Sequence, residues 1–289
     1  MPPPMPVPRP GAPVPTPAPA PMPVRMQVPV SRPRVRLEIC IDRLESAIAA
    51  RDGGADRIEI CGALACGGVS PGPGLVTACL ELAPLEVMVM VRPHAGSFVY
   101  SAFDLAVMER EIEWARRVGA HGVVFGALTP DRCVDRAACR RLLDVAGPIA
   151  TTFHRAFDLT RDPREALEVL SELGVARVLS SGQATTASEG ASLLRGLVEQ
   201  SAGRIAVMPG AGITAGNVAR LLTETGAGEL HASASEPIEP IEPIEPVEPV
   251  EPSATSHCER WDFVSPSRWT TAARVRSLRA AIDAVTALP

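Results

Sequence analysis

Cysteine, glutamate, histidine and arginine recur in this 289-residue chain at spacings that could do chemistry. Two short runs repeat one pattern, Glu38-Ile-Cys40 and Glu59-Ile-Cys61. Thiolate and thioether sulfur select soft ions such as Cu(I) over hard cations. Cys40 and Cys61 are therefore the candidate metal ligands, with Met88, Met90 or a histidine to complete the shell. A third run, Thr152-Phe-His-Arg-Ala-Phe-Asp158, gathers His154, Arg155 and Asp158 where an apolar stretch gives way to a helix-start signal, Asp162-Pro163-Arg164-Glu165. His154 could act there as general acid or base, with Glu38 or Glu59 as partner and Arg92 or Arg155 orienting an anion. His231 completes this candidate catalytic set.

A second chemistry is available to the glycines. Met208-Pro-Gly-Ala-Gly-Ile-Thr214 is a Gly-rich turn that runs into a helix, and His231-Ala-Ser-Ala-Ser235 and Ser180-Ser-Gly-Gln183 supply further donors. Gly182, Gln183, Gly210, Gly212 and Ser233 are the candidate phosphate or anion ligands. The same glycines could simply make the turns.

Composition excludes several functions. The chain has no lysine, which rules out a Schiff base and a P-loop phosphate lysine. A net charge of −5 gives no reason to expect a nucleic acid or an anionic membrane as partner. No apolar run approaches the roughly 20 residues of a membrane span. Seven cysteines without framework spacing imply free thiols in a reducing cytosol.

The elements that must position these residues alternate strictly. Strands are expected at 36–41, 57–61, 86–91, 121–125, 149–153, 176–180, 204–208 and 229–231. Helices are expected after each, beginning with one that Asp42-Arg-Leu-Glu45 would open as a capping box. They are placed near 74–83, 102–118, 135–145, 163–173, 187–201, 214–224 and 267–286. On the helix at 102–118, Phe103, Val107, Met108, Ile112, Ala115 and Val118 share the expected inner face. Eight β-α pairs in about 250 residues predict a single closed (β/α)8 TIM barrel of the α/β class. Residues 1–34, with 14 of the 30 prolines, read as a disordered tail. The domain spans 35–289, and a Glu-Pro repeat at 236–255 reads as a disordered insertion before the last helix.

Strand alternation then sorts inside from outside. Glu38, Cys40 and Asp42 share one face of the first strand, and Arg57, Glu59 and Cys61 one face of the second. Met88, Met90 and Arg92 share a face of the third, Thr152 and His154 of the fifth, and Glu229, His231 and Ser233 of the eighth. Charges buried in such a barrel must pair, so Glu38 or Glu59 should meet Arg92 or Arg57. A structural ion-pair plug would use the same residues.

These pieces together resemble the CutC family (copper homeostasis protein CutC). The matching stretches include Glu38-Ile-Cys40-Ile-Asp42, Gly53-Gly-Ala-Asp-Arg-Ile-Glu-Ile-Cys61, Val91-Arg-Pro93, Gly122-Val-Val-Phe-Gly126, Thr152 to Asp158, Ser181-Gly-Gln183, Met208 to Ile213 and Glu229-Leu-His231. The resemblance implies a cytoplasmic TIM barrel, often a homo-oligomer, with Cu(I) bound by the cysteines matching Cys40 and Cys61. The sequence departs from the family pattern at two places: Arg-Pro-Arg reads Arg92-Pro93-His94, and the arginine after the His-x-Ser-Ala run is Ser235. Three readings are open. The first is a copper homeostasis protein that binds Cu(I). The second is a TIM-barrel enzyme acting on a small metabolite, phosphorylated or not. The third is a binding module that uses the Pro-rich tail and the Glu-Pro insertion as arms.

Overall fold

The computed structural model describes Met1, residues 34–237 and residues 268–286. The disorder expected of the Pro-rich tail and of the Glu-Pro insertion falls almost wholly on residues 2–33 and 238–267, which lie outside the described residues.

Eight parallel strands form the barrel: β1 (Arg36–Ile41), β2 (Arg57–Ile60), β3 (Glu86–Met90), β4 (Gly122–Phe125), β5 (Ala150–Phe153), β6 (Arg177–Ser180), β7 (Ala206–Pro209) and β8 (Glu229–Ala232). They hydrogen-bond in the order β7-β6-β5-β4-β3-β2-β1-β8, and a parallel bridge from Gly210 to His231 closes the ring. The helices are α1 (Leu44–Asp52), α2 (Pro73–Leu80), α3 (Ala102–Arg117), α4 (Arg136–Ala146), α5 (Pro163–Leu173), α6 (Ala191–Ser201), α7 (Val218–Thr225) and α8 (Ala272–Thr286). This is the expected TIM barrel. Its outer core is aliphatic: Leu37, Ile39, Ile41, Ile58 and Ile60 are buried under the helices. Their strand neighbours Glu38, Arg57 and Glu59 are buried too, on the opposite, inward face that alternation requires.

Local structure departs from expectation at several points. No capping box opens α1: its N-cap is Arg43, with no side-chain cap, and Asp42 pairs with Arg43 instead. Helix α6 starts at Ala191 rather than 187, because Gly190 packs on the loop after β6. A Cβ at Gly190 would lie 1.9 Å from the Ser181 carbonyl oxygen, so the chain must pass that point as a tight turn. Helix α7 starts at Val218, after Asn217 accepts a hydrogen bond from the Thr214 N–H in a turn of its own. Phe103 and Val107 are not on the inner face of α3. Phe103 is 85% exposed and Val107 45%, while Leu105, Met108, Ile112 and Ala115 form the buried stripe. Phe103 and Met108 are five positions apart, which sets them on different sides of a 3.6-residue turn.

The Glu-Pro segment is not irregular from its first residue. β9 (Ser235–Pro237) pairs antiparallel with β10 (Arg268–Thr270), the strand that delivers the chain into α8. Pro237 sits at the outer end of this two-stranded ribbon, where a missing N–H is tolerated. Among the described residues no helix is long and apolar enough to cross a membrane.

Candidate functional site at the barrel mouth

The inside of the barrel is a chain of charges. In register, Glu38 lies beside Arg57 on β2 and beside His231 on β8. Arg57, fully buried, donates Nε to Glu38 and Nη2 to Glu229 at 2.6 Å. Glu229 also accepts from Arg177 Nε at 2.9 Å, and Arg177 donates to the Thr152 hydroxyl at 3.2 Å. The arginine partner of Glu38 is thus Arg57, not Arg92, and Glu59 meets neither. Burial works against the Glu38 carboxylate, but Arg57 and His231 outweigh it and hold the pKa at about 2.

One layer nearer the C-terminal rim, the network becomes a site. His231 Nδ1 lies 2.8 Å from Glu38 Oε1, and its Nε2 lies 3.6 Å from Glu59 Oε2. One ligand atom each from Cys40, Glu59 and His231 lie within 4.8 Å of one another. Cys61 stands behind this trio. Its thiol donates to Glu59 Oε2 at 3.6 Å, and its side chain packs with Met88, Met90 and Val124. Burial, reinforced by the Glu59 charge, pushes that thiol well above its usual range. Burial pushes Glu59 up to about 7, although His231 pulls the other way. His231 is raised well above its ordinary value: burial opposes the cation, but Glu59, Cys40 and Glu38 prevail.

Above the trio opens a cavity of about 180 Å³. Cys40, Glu59, Cys61 and His231 line one side of it, and Arg92, His154 and Arg155 the other. His154 is held by Gly126, where a Cβ would lie 2.5 Å from the imidazole ring, and by Phe98, whose ring centre is 4.8 Å away. Its Nδ1 accepts the Ala156 N–H at 3.2 Å. The proton of the neutral ring therefore sits on Nε2, a buried atom without a partner among the described residues. Glu59 Oε1 and Arg92 Nε, on two other residues that line the cavity, are orphaned in the same way. Buried polar atoms are rarely left unpaired. Three such atoms, on three residues that line one small cavity, mark a place built for a ligand. Burial, then the charge of Arg92, pushes His154 down to about 3.

Other candidates are engaged elsewhere. Arg92 clamps two loops by donating to the carbonyls of Gly68 at 2.9 Å and Gly96 at 3.1 Å, and its guanidinium lies over the Phe98 ring. Asp158 does not reach the cavity lining. It accepts from Arg155 Nε and from the Ser180 hydroxyl, and binds the Ser181 and Gln183 N–H groups, so it shapes the loop after β6. Of the five anion candidates, Gly182 already donates to the Ser180 hydroxyl and Gln183 to Asp158 and the Thr160 carbonyl, and Gly210 closes the barrel. Only Gly212 and Ser233 line a common cavity, separate from the mouth. Sequence reasoning missed Arg177, Phe98 and the pairing role of Glu229. Arg177 had a readable signal, since it is an arginine opening a strand whose companions are apolar.

The loops after the strands also hold the backbone strain. Of the six described residues other than glycine with positive φ, Ala63, Arg132, Gln183, Ala211 and Ala234 follow strands, and Ala202 alone follows a helix, α6. Strain of this kind collects where a ligand or switch is served.

Fold and site together define a (β/α)8 barrel whose C-terminal mouth presents thiol, imidazole and carboxylate donors. The sequence profile of the CutC family matches residues 35–236, and the chain belongs to that family. A human protein named copper homeostasis protein cutC homolog is 47% identical over 198 residues, which is 68% of this chain and 72% of the human one. A CutC family protein of Sinorhizobium medicae is 42% identical over 257 residues, 88% of this chain and 98% of its own. The crystal structure of a copper homeostasis protein CutC from Streptococcus agalactiae superposes with a TM-score of 0.66 at 30% identity, covering 69% of this chain and 98% of the other.

The donor set can be tested against copper directly. Thiolate and imidazole suit Cu(I) and Zn²⁺, and a lone carboxylate does not exclude either. Glu59 Oε1, buried and unpaired, faces no competing donor among the described residues. The Cys40 sulfur and, once it gives up its proton, the His231 imidazole are the donors that a thiophilic ion takes, so the residues fit one.

Proposed function

We propose that the chain is a copper homeostasis protein of the cytoplasm that binds Cu(I) at the barrel mouth. Cys40 and His231 are the nearest soft donors, Glu59 is the third, and Cys61 is a second thiol behind them. The convergence of Cys40, Glu59 and His231 within 4.8 Å carries this reading. Six free cysteines among the described residues are in keeping with a reducing compartment. Competition titration with a chromophoric Cu(I) chelator tests it. Wild type should take up one equivalent. Cys40→Ser and His231→Gln should each weaken binding by roughly a hundredfold, and Cys61→Ser by less, roughly tenfold. Unchanged affinity in both Cys40→Ser and Cys61→Ser would remove copper from the site.

One observation favours a second reading, an enzyme acting on a small anionic metabolite. Glu59, pushed up to about 7 by burial, is poised as a general acid or base in the cavity that the uncommitted His154 also lines. A thermal-shift screen of phosphorylated and carboxylated metabolites should then stabilise wild type but not His154→Ala. If no compound shifts wild type, or His154→Ala shifts equally, the enzyme reading fails while the copper reading stands.

A further inference from the structure

A second cavity lies outside the mouth, between the loop after β7 and the start of α8. Its volume is about 410 Å³, within the range of small-molecule sites. Gly212, Ser233 and Ser235 line it from the barrel side, and Arg268, Arg274 and Ser277 from the far side of the Glu-Pro insertion. No acid is among its lining residues within the described part of the chain. The two arginines differ in a useful way. Arg274 Nε is paired with Glu236 at 2.9 Å. Arg268 donates only to Ser235, to its carbonyl at 3.0 Å and its hydroxyl at 3.4 Å, and has no carboxylate partner among the described residues. The Ser233 and Ser235 hydroxyls lie 3.1 Å apart beneath it. The β9–β10 ribbon holds the arrangement, since Thr270 pairs in register with Ser235 and its hydroxyl donates to the Ser233 carbonyl at 2.8 Å. Both loops on the barrel side carry strain, at Ala211 (φ 82°) and Ala234 (φ 46°).

We propose that this cavity binds a phosphate group, with Arg268 as the principal ligand and the Ser233 and Ser235 hydroxyls as further donors. The guanidinium is opposite in charge to a phosphate, and its fork of donors fits the spacing of the phosphate oxygens. Arg268 is supplied across the insertion by β10, so the ribbon that brackets the Glu-Pro segment is what completes the site. Glu236 acts against the ligand, by occupying Arg274 and by adding a like charge at the rim. The cavity exceeds what a phosphate ion alone would fill, which leaves room for an esterified group.

Calorimetric titration of the full chain at constant ionic strength tests this, with inorganic phosphate and glycerol 3-phosphate as the two probes. Saturable binding is expected for both, and tighter binding of the ester would assign the site to a phosphorylated small molecule, equal binding to free phosphate. Arg268→Gln should weaken both probes at least tenfold, and Glu236→Gln should strengthen both several-fold. Arg268 is exposed, so the ligand-free melting temperature of Arg268→Gln should match wild type and show that folding is intact. Absence of saturable binding by either probe, or wild-type affinity in both variants, would overturn the proposal.

Discussion

Arg57→Met is expected to cost the barrel about 3–5 kcal/mol of stability in urea unfolding at pH 7. The reason lies in what is left behind. Arg57 and Glu38 are both completely inaccessible, and the Glu229 side chain is only 15% exposed. Arg57 donates to both acids at once. Methionine replaces its volume but leaves Glu229 with Arg177 alone and Glu38 with His231 alone. A buried charge without its partner is far more costly than the pair is beneficial. The sign of the pH dependence gives a second check. With Arg57 present, Glu38 is held at about 2, below its ordinary 4.5. That contribution is present above pH 4.5 and is lost as pH falls toward 2. In Arg57→Met, burial is the largest influence left on Glu38 and only His231 opposes it, so the carboxyl should rise above its unfolded value. The variant should then regain stability between pH 7 and pH 5, where wild type does not lose Glu38's contribution. Adding Glu38→Gln and Glu229→Gln to Arg57→Met should recover most of the loss. A variant as stable as wild type at pH 7 would show that the ladder of charges does not hold the barrel together.

The alternation of Glu38, Cys40, Glu59 and Cys61 with isoleucine and leucine made the inward face legible, because a parallel strand under helices must separate its two faces. Ring closure was harder to read. Sequence pairs Cys40 with Cys61 by residue type, whereas the structure sets His231 closer, because the eighth strand returns beside the first. Asp158 looked catalytic from its place at a strand end. Backbone N–H groups of a loop more than 20 residues further on claim it instead, and no local pattern announces such a bond. Phe98 was passed over as one aromatic in a loop, although it stacks on both His154 and Arg92. The starts of α6 and α7 shifted because packing of Gly190 and the Asn217 turn override helix propensity. Phe103 shows the opposite failure: periodicity counts an apolar residue inward even when the first turn of a helix stands clear of the core.

His154 should give the protein an acid-labile element that a leucine removes. The imidazole is 4% exposed and is pushed down to about 3, against 6.5 when unfolded. The titratable and charged groups that share its cavity are Arg92, which also lies over Phe98, together with Arg155, Glu59, His231 and the Cys40 and Cys61 thiols. A depressed histidine contributes stability that is complete above pH 6.5 and declines as pH falls toward 3, because only the unfolded chain takes up the proton. Over the two pH units from 6.5 to 4.5 this amounts to about 2–3 kcal/mol. Glu59 acts in the reverse sense over the same window: raised to about 7, it is protonated when folded and ionised when unfolded, so it favours the fold as pH falls. Wild type should therefore be nearly flat between pH 4.5 and 6.5, two opposed slopes cancelling. In His154→Leu the Glu59 slope is exposed, and the variant should gain stability relative to wild type as pH drops, by about the same 2–3 kcal/mol. Glu59→Gln should do the opposite and lose stability with acid. Urea unfolding of the three proteins at half-unit pH steps reads these slopes directly. Parallel pH profiles for wild type and His154→Leu would mean that the ring is already solvated or charged in the native state, and the neutral Nε2 donor at the mouth would have to be abandoned.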